Sequence, residues 1–442
     1  MKECINDRME QSRTARHRSH REKRRKLSRI ILYASSAAVI CAAGVLFWSL
    51  RGGEERAPAA ESVSSSPLPS SKAVNGTERP PATAGAGLDG SIAAASPTPA
   101  AKPAQTPAAT ALAAVPPGQQ GDNSRIRMAF VGDVIFASTV ETLLNKNGYD
   151  FPYRTLSDEL LSPDITAANL ETPITLRGEE QKKEYTYRSK PEALRPFKEA
   201  GFDVVNLANN HIMDYGEAGL LDTLDYLDKE GILRTGAGKD LKEAYKPAIL
   251  EKNGIRVAFL GLSHKVPAQS WKAGNNKPGT TQLYDPETSD AIEAITRAGE
   301  QADLVVVMAH WGEERQDKPL DTHRKMAKAF IDAGADLIIG SHPHVLQSLE
   351  VYKGKYIAYS LGNFLFTTNS FEPSWETAVL NADCSKAGSC SISLIPVSNK
   401  FSQPTRMDEE AGSKLFARLT AISYGIRVDK DGRVVPDGEV RK

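Results

Sequence analysis

The chain has 442 residues, which is long enough for two or three domains, and its 55 Lys and Arg residues balance its 55 Asp and Glu residues. This balance hides an asymmetry, because a strong basic excess lies in the first 29 residues, away from the folded part. We therefore expect no nucleic-acid partner for the folded part. Four cysteines are too few for a disulfide-stapled scaffold.

Residues 1–29 and 30–50 predict a cytoplasmic tail followed by a transmembrane helix. The tail contains "RTARHRSHREKRRKLSR", with no hydrophobic period, and the span "IILYASSAAVICAAGVLFWSL" is uncharged and has the ~20 residues that cross a bilayer. The excess of Lys and Arg before the span predicts a single-pass cell-membrane protein with a cytoplasmic N-terminus and an extracytoplasmic folded domain. A cleaved signal peptide is the competing interpretation, but the apolar run exceeds the usual ~7–15 residues.

Residues 51–123 predict a linker. Ala, Pro and Ser dominate this segment, as in "AAASPTPAAKPAQTPAATALAAVPPGQQG", and large apolar residues are almost absent. Such a composition cannot form a core. Its proline spacing is typical of an extended, semi-stiff tether between membrane and domain.

Residues 124–400 predict an α/β domain, and residues 401–442 a C-terminal extension. Short apolar strands alternate with helical stretches such as "GEAGLLDTLDYLDKEG" and "HRKMAKAFIDAG". The predicted strands are Ile126–Val131, Ile165–Asn169, Val204–Ala208, Val257–Gly261, Leu304–Ala309 and Leu337–Gly340.

Two of the cysteines flank a turn-like segment. Cys384 and Cys390 enclose "SKAGS" between two strand-like runs, so they either close a hairpin with a disulfide or remain unpaired thiols. Cys4 and Cys41 lie in the predicted tail and span, where no bridge is expected.

Polar side chains follow six of the apolar strands. Ligands of open α/β sheets gather outside the carboxyl ends of the strands, so these residues are candidates for a binding site. Singly, each has a structural explanation, such as a helix cap, a turn or a satisfied histidine. Together, Asp, Glu, Asn and His suit one or two divalent ions such as Mn²⁺, Fe²⁺ or Zn²⁺. The candidates are Asp133, Asn169, Glu171, Asn209, Asn210, His211, His264, His310, Glu313, His342 and His344.

The order of these motifs resembles the CapA family of poly-γ-glutamate capsule-synthesis proteins, within the calcineurin-like metallophosphoesterase superfamily. Over residues 126–366 the chain runs GD, NLE, NNH, HWG and GSHPH, and closes with SLGNF. The resemblance implies a four-layer α/β/β/α metallophosphoesterase-like sandwich that holds two metals between strand-end loops.

The resemblance also implies a role for individual residues. His211 matches the histidine that protonates a leaving group. The implied metal ligands are Asp133 and His344 for the first metal, Glu171 as the bridge, and Asn210, His310 and His342 for the second. A metal pair ~3.5–4 Å apart lowers the pKa of a bridging water and neutralises charge on phosphate oxygens.

Two positions depart from the superfamily pattern. Ile135 stands where a histidine usually binds the first metal, and Glu171 stands where the bridging group is usually Asp. Glu313 and His264 are the candidates to replace the missing ligand.

The leading hypothesis is a membrane-anchored, extracytoplasmic protein that acts in poly-γ-glutamate synthesis, export or anchoring, with a metal-dependent hydrolase-type site. Asn169 and Asn363 are predicted to contact the substrate, which is the anionic polymer or a phosphate ester. The alternatives are a generic extracellular metallophosphoesterase and a non-catalytic scaffold that binds the polymer or membrane synthase subunits.

Overall fold

A computed structural model describes residues 124–283, 288–367 and 369–438, which form a mixed α/β fold rich in sheet. The predicted tail, membrane span and linker lie outside the described residues. Among the described helices, none combines the length and apolar character needed to cross a bilayer.

The strands of the described residues, in chain order, are β1 (Arg125–Val134), β2 (Ile165–Leu170), β3 (Phe202–Asn206), β4 (Leu233–Thr235), β5 (Ala237–Gly238), β6 (Ala248–Lys252), β7 (Ile255–Ser263), β8 (Gly279–Thr280), β9 (Leu304–His310), β10 (Leu337–Ser341), β11 (Leu349–Tyr352), β12 (Lys355–Ala358), β13 (Asn363–Leu365), β14 (Glu376–Ser385), β15 (Cys390–Ser398), β16 (Thr405–Arg406), β17 (Ile426–Val428) and β18 (Arg433–Pro436). The α-helices are α1 (Thr139–Asn147), α2 (Ser157–Leu161), α3 (Leu194–Glu199), α4 (Gly216–Glu230), α5 (Leu241–Ala244), α6 (Ser289–Gly299), α7 (Asp321–Asp332) and α8 (Glu409–Ile422).

Most of these strands form two larger sheets. The first has ten strands in the order β17-β18-β15-β14-β1-β2-β3-β4, with β13 paired to β1 and β16 to β15. The second has six strands in the order β11-β12-β10-β9-β7-β6. The runs β1-β2-β3-β4 and β7-β9-β10-β12 are parallel, so their carboxyl ends lie together at one edge of each sheet.

Three apolar cores separate the layers. One lies between the first sheet and helices α1 to α4, and includes Phe197 and Leu224. The second lies between the two sheets, where Phe130 of β1 packs with Phe259 of β7. The third lies between the second sheet and helices α6 and α7, around Phe330. The layers therefore run helices, sheet, sheet, helices.

All six predicted strands are present, and so are both helices. The strands could be predicted from apolar runs because both of their faces are buried. Successive residues of β7 and β9 face different cores. The third strand ends at Asn206, two residues before the predicted end. The reason is local: the Asn206 side chain accepts the backbone N–H of Ala208 at 2.9 Å and turns the chain out of the sheet.

The cysteine-flanked hairpin is present and bridged. Cys384 of β14 lies opposite Cys390 of β15, and the two sulfurs are joined at 2.09 Å. The described residues after 400 contribute α8 and three strands, β16 to β18, that extend the first sheet beyond β15.

Candidate metal centre

The site lies where the carboxyl ends of both sheets meet. Asp133 is the penultimate residue of β1, Glu171 directly follows β2, and His310 is the last residue of β9. All three side chains are fully buried. His342 follows β10 and is 5% exposed. The parallel topology thus brings side chains that are far apart in sequence to one place.

A close backbone approach builds the wall of this site. The N–H of Asp133 donates to the carbonyl oxygen of Gly362 at 2.9 Å. A Cβ on Gly132 would lie 1.8 Å from that same oxygen, so only glycine fits there. The "SLGNF" segment is therefore held directly against β1.

Two overlapping groups of side chains have the spacing of metal ligands. In each group the ligand atoms lie within 4.8 Å of one another, and Glu171 belongs to both. The groups are Asp133, Glu171 and His310, and Glu171, His342 and His344. The geometry therefore makes Glu171 the shared carboxylate, and it divides the histidines differently from the resemblance, which paired His310 with His342.

Glu171 is the most electrostatically strained member. Its Oε2 accepts from the Asn169 amide at 3.2 Å, whereas its buried Oε1 has no hydrogen-bond partner within the described residues. Burial, and then the negative charge of Asp133, hold the pKa of this carboxyl well above its usual value. The imidazole nitrogens of His310 and His344 lie 3.6 and 3.9 Å from Oε1, beyond hydrogen-bond distance, so a cation bound between them would satisfy this oxygen.

His310 has polar neighbours at both ring nitrogens. Its Nε2 lies 2.8 Å from Oδ1 of Asn210 and 3.6 Å from Oε1 of Glu171. Its Nδ1 lies 3.0 Å from the Ser341 hydroxyl, which can accept the ring proton and so leave Nε2 for a metal ion. Burial lowers the pKa of His310 well below its usual value and keeps the ring neutral, the form in which imidazole binds metals.

The loop after β10 carries two histidines in unusual conformations. His342 and His344 have φ values of 95° and 58°, in the left-handed region that non-glycine residues avoid. Such backbone costs on the order of 1–3 kcal/mol and is typical of functional sites. The conformation aims both rings into one site, with ring centroids 5.8 Å apart.

The two rings differ in their surroundings. Nδ1 of His342 is buried without a hydrogen-bond partner among the described residues, and burial lowers its pKa well below the usual value. Nδ1 of His344 lies 3.2 Å from Asp133 and 3.0 Å from Oδ1 of Asn363. Burial lowers the pKa of His344, but the hydrogen bond and charge of Asp133 outweigh it, so the pKa is raised overall.

His211 lies in a separate hydrogen-bonded group beside the centre. Its Nδ1 is 2.7 Å from Oδ2 of Asp214, a carboxylate that only accepts, so Nδ1 carries a proton and Nε2 is left for chemistry. The Lys183 ammonium donates to the other Asp214 oxygen at 2.7 Å and to the Asn210 carbonyl at 2.6 Å. Burial lowers the pKa of His211 and outweighs the opposing effect of Asp214.

The two predicted substrate contacts are buried. Asn169 donates to Asp133 at 2.8 Å and to Glu171, and Asn363 contacts His344. These contacts orient the carboxylates and the imidazole. Substrate binding by either asparagine stays a prediction.

The two residues suggested in place of the missing histidine lie outside both groups of candidate ligands. Ile135 packs in the outer apolar core and its N–H donates to Leu365. Glu313 is paired with Lys265 at 2.8 Å, and His264 is 3.3 Å from His323. Neither Glu313 nor His264 belongs to a metal-ligand group of the described residues.

Three residues of the site were missed in the sequence. Asp214 follows His211 by three residues and offered a detectable signal, an acid placed to pair with a histidine across one turn. Lys183 and Tyr187 lie in the loop after β2 and offered none. Tyr187 packs on the His211 ring at 4.6 Å, and burial raises its pKa to about 12.

The fold and the site together define the class of protein. It is a mixed α/β protein whose strand ends bring carboxylates and imidazoles together in a candidate metal centre. The chain belongs to the family of the bacterial capsule synthesis protein PGA_cap, whose sequence model matches residues 127–368. This confirms the resemblance to the CapA family.

Relatives with assigned names are similar over most of the domain. The capsule biosynthesis protein CapA of Bacillus anthracis is 35% identical over 302 residues, which cover 66% of this chain and 72% of that protein. The PGA biosynthesis protein CapA of Bacillus subtilis (strain 168) is 34% identical over 314 residues, covering 70% and 81%. A probable polyglutamine synthesis accessory protein of Mycobacterium tuberculosis is 34% identical over 220 residues, covering 46% and 56%.

Similarity to solved structures is weak. A hypothetical protein from Thermus thermophilus has 18% identity and a TM-score of 0.37, and covers 61% of this chain and 98% of its own. The NAD nucleotidase of Haemophilus influenzae has 15% identity and a TM-score of 0.38, and covers 70% and 65%. At such scores neither likeness identifies an activity.

Proposed function

We propose that this protein is membrane-anchored and extracytoplasmic, that it acts in the synthesis, export or anchoring of poly-γ-glutamate, and that it carries a metal-dependent, hydrolase-type site. The role in the polymer rests on the family and on the CapA relatives, which are named for capsule and PGA biosynthesis. The observation that carries the metal site is the buried carboxylate of Glu171, whose Oε1 has no hydrogen-bond partner among the described residues.

The residues present fit a divalent cation. Glu171 Oε1 and His342 Nδ1 are both buried atoms without hydrogen-bond partners in the described part of the chain. Mixed oxygen and imidazole ligands suit Mn²⁺, Fe²⁺ or Zn²⁺. The two ligand groups, together with Asn210, whose Oδ1 lies 2.8 Å from Nε2 of His310, would hold one ion or two. The layer order of helices, sheet, sheet, helices supports the metallophosphoesterase-like sandwich.

A bound divalent ion would supply Lewis-acid polarisation of a phosphoryl or acyl oxygen and a lowered pKa for water. The protein's own residues complete the chemistry. Asp214 holds the proton of His211 on Nδ1, so Nε2 is the nitrogen that would take up a second proton and then pass it to a leaving group. Lys183 donates to both Asp214 and the Asn210 carbonyl, so it links the hydrogen-bond partner of His211 to the backbone of a candidate metal ligand.

The extracytoplasmic location is supported by the disulfide. Bridged cysteines persist in oxidising compartments outside the cytoplasm, and Cys384–Cys390 is bridged. The basic tail and apolar span, residues 1–50, support a retained anchor with the N-terminus inside.

The test is elemental analysis of the full chain, purified in detergent, beside the double variant His342→Ala, His344→Ala. A matched control changes the two tail histidines, His17→Ala and His20→Ala. We expect one or two equivalents of transition metal in the wild type and in the control, and clear loss in the site variant. No metal in the wild type after refeeding with manganese, iron or zinc would remove the hydrolase-type site and leave a polymer-binding or scaffolding role.

A further inference from the structure

We propose that Arg315 and Lys400 form a carboxylate-binding rim beside the metal centre and that carboxylates of the polymer dock there. This inference rests on the proposed function, because it assigns residues of this chain to recognition of that polymer. The rim consists of Arg315, Phe371, Trp375 and Lys400.

A backbone hydrogen bond holds Arg315 beside the metal centre. Its N–H donates to the carbonyl oxygen of Pro343, the residue between His342 and His344, at 2.8 Å. Its φ of 62° lies in the left-handed region, a strained conformation that positions the exposed side chain. The guanidinium lies 5.4 Å from the centre of the Phe371 ring. Within the described residues it forms no ion pair, and the nearby Glu313 is paired with Lys265 instead.

Lys400 lies over the ring of Trp375 much as Arg315 lies over the ring of Phe371, four residues earlier in the chain. Its ammonium lies 4.7 Å from the centre of the Trp375 ring and 5.6 Å from that of Phe401, which is 69% exposed. No carboxylate of the described ranges forms an ion pair with it. A cation held on a ring face keeps its outward N–H donors for an incoming anion.

The two aromatic rings lie on one segment that is hydrogen-bonded to the metal centre. The side chain of Asn369 accepts from the Phe371 N–H at 2.9 Å and from the Ser374 hydroxyl at 2.8 Å. The amide of Asn363 donates to the Ser374 carbonyl at 3.4 Å, while its Oδ1 contacts His344 at 3.0 Å. The segment that carries both rings is therefore joined through Asn363 to His344, a candidate metal ligand.

Arg315 and Lys400 place two positive charges on the rings of one segment. Such a pair suits a ligand with repeating negative charges more than a single small anion. The carboxylate-bearing chain of poly-γ-glutamate has this pattern. Glu314, which is exposed and within electrostatic range of both Glu171 and His344, opposes such a ligand. Its removal should therefore act in the opposite direction from removal of Arg315 or Lys400.

The experiment measures calorimetric binding of poly-γ-glutamate to the full chain in detergent. The rim variant is Arg315→Gln, Lys400→Gln. The matched control is Arg195→Gln, Lys414→Gln, which removes the same charge from side chains 78% and 74% exposed on α3 and α8. We expect about tenfold weaker binding for the rim variant and less than about twofold for the control, because two exposed charge contacts are lost only in the former.

A third variant sharpens the test. Glu314→Gln should strengthen binding by about threefold, since one repulsive charge is removed. Metal content and thermal unfolding should match the wild type in all variants, because every altered side chain is exposed. Equal affinity of the rim variant and the control would overturn the rim and leave the proposed function intact. A metal-loaded wild type that does not bind the polymer would overturn both.

Discussion

Two buried glutamates of this protein have opposite surroundings. Glu350 of β11 accepts two guanidinium bonds from Arg324 at 3.0 Å each and the hydroxyl of Tyr359 at 2.8 Å, with the Lys328 ammonium also at 3.0 Å. Burial raises the pKa of Glu350, but the hydrogen bonds of Arg324 lead the effects that outweigh it, so the pKa is lowered.

Glu171 shows the reverse. Burial and the neighbouring Asp133 raise its pKa well above the usual value, and its Oε1 has no hydrogen-bond partner within the described residues. An unpaired buried charge costs several kcal/mol, so proteins normally pair it. The comparison teaches that this chain surrounds the carboxylate of Glu350 with its own cations, whereas it leaves Oε1 of Glu171 without a hydrogen-bond donor among the described residues, as expected for a proposed metal ligand.

The largest expected effect is that of the metal on Glu171. With free metal ~1,000-fold above its Kd, the free energy of unfolding should rise by about 4 kcal/mol. Denaturant unfolding of the full chain, with metal and with chelator, measures this difference. Glu171→Gln should remove most of it, because the shared ligand is lost. An unchanged metal effect in Glu171→Gln would break the comparison, because the carboxylate would then be uncompensated for another reason.

Glu350→Gln should be the next largest change. Breaking a buried ion pair costs ~3–5 kcal/mol, but Arg324 and Lys328 remain 24% and 35% exposed, so we expect about 2 kcal/mol of lost stability. Chemical denaturation measures it, independently of metal. The control Glu199→Gln, in an exposed pair with Arg195, should change stability by less than about 0.5 kcal/mol. Equal losses in both variants would show that Glu350 is not a structural ion pair.

The sequence alone predicts a functional role for Glu171 but does not predict the buried ion pairs of Glu350. Strand positions follow from apolar runs, and the ligands of the centre follow from polar residues at strand ends, because both are local patterns. The network of Glu350 depends on Arg324 and Lys328 of α7, and only the packing of that helix on β11 brings them together. No local pattern marks Glu350 as buried.

The same limit explains what was missed near the centre. Lys183 lies in a charged stretch, "GEEQKKEY", where a solvated loop is the ordinary expectation. Its side chain is only 16% exposed because the loop folds back over Asp214. The wide extension of the first sheet by β17 and β18 was also not predicted, since these strands are three and four residues long.

In the absence of metal, the substitutions Glu171→Gln and Glu350→Gln should change the free energy of unfolding in opposite directions. In chelator, Glu171→Gln should stabilise the protein by about 1 kcal/mol, because it replaces a buried carboxyl whose Oε1 has no hydrogen-bond partner among the described residues with a neutral group of similar shape. The measurement is the denaturant midpoint of the metal-free full chain. A loss similar to that of Glu350→Gln would mean that the charge of Glu171 is compensated by the chain itself.

The smallest effect is the pH dependence of the Glu350 pair. A carboxyl whose folded pKa is lowered contributes stability above its unfolded value, near 4.5, and loses it as the pH falls through the folded pKa. Between about pH 7 and pH 4, the stability gap between wild type and Glu350→Gln should therefore narrow by up to about 1 kcal/mol. Unfolding of both proteins in chelator at several pH values measures the gap. A gap that widens toward low pH would require a folded pKa above the unfolded one, and Glu350 would then resemble Glu171.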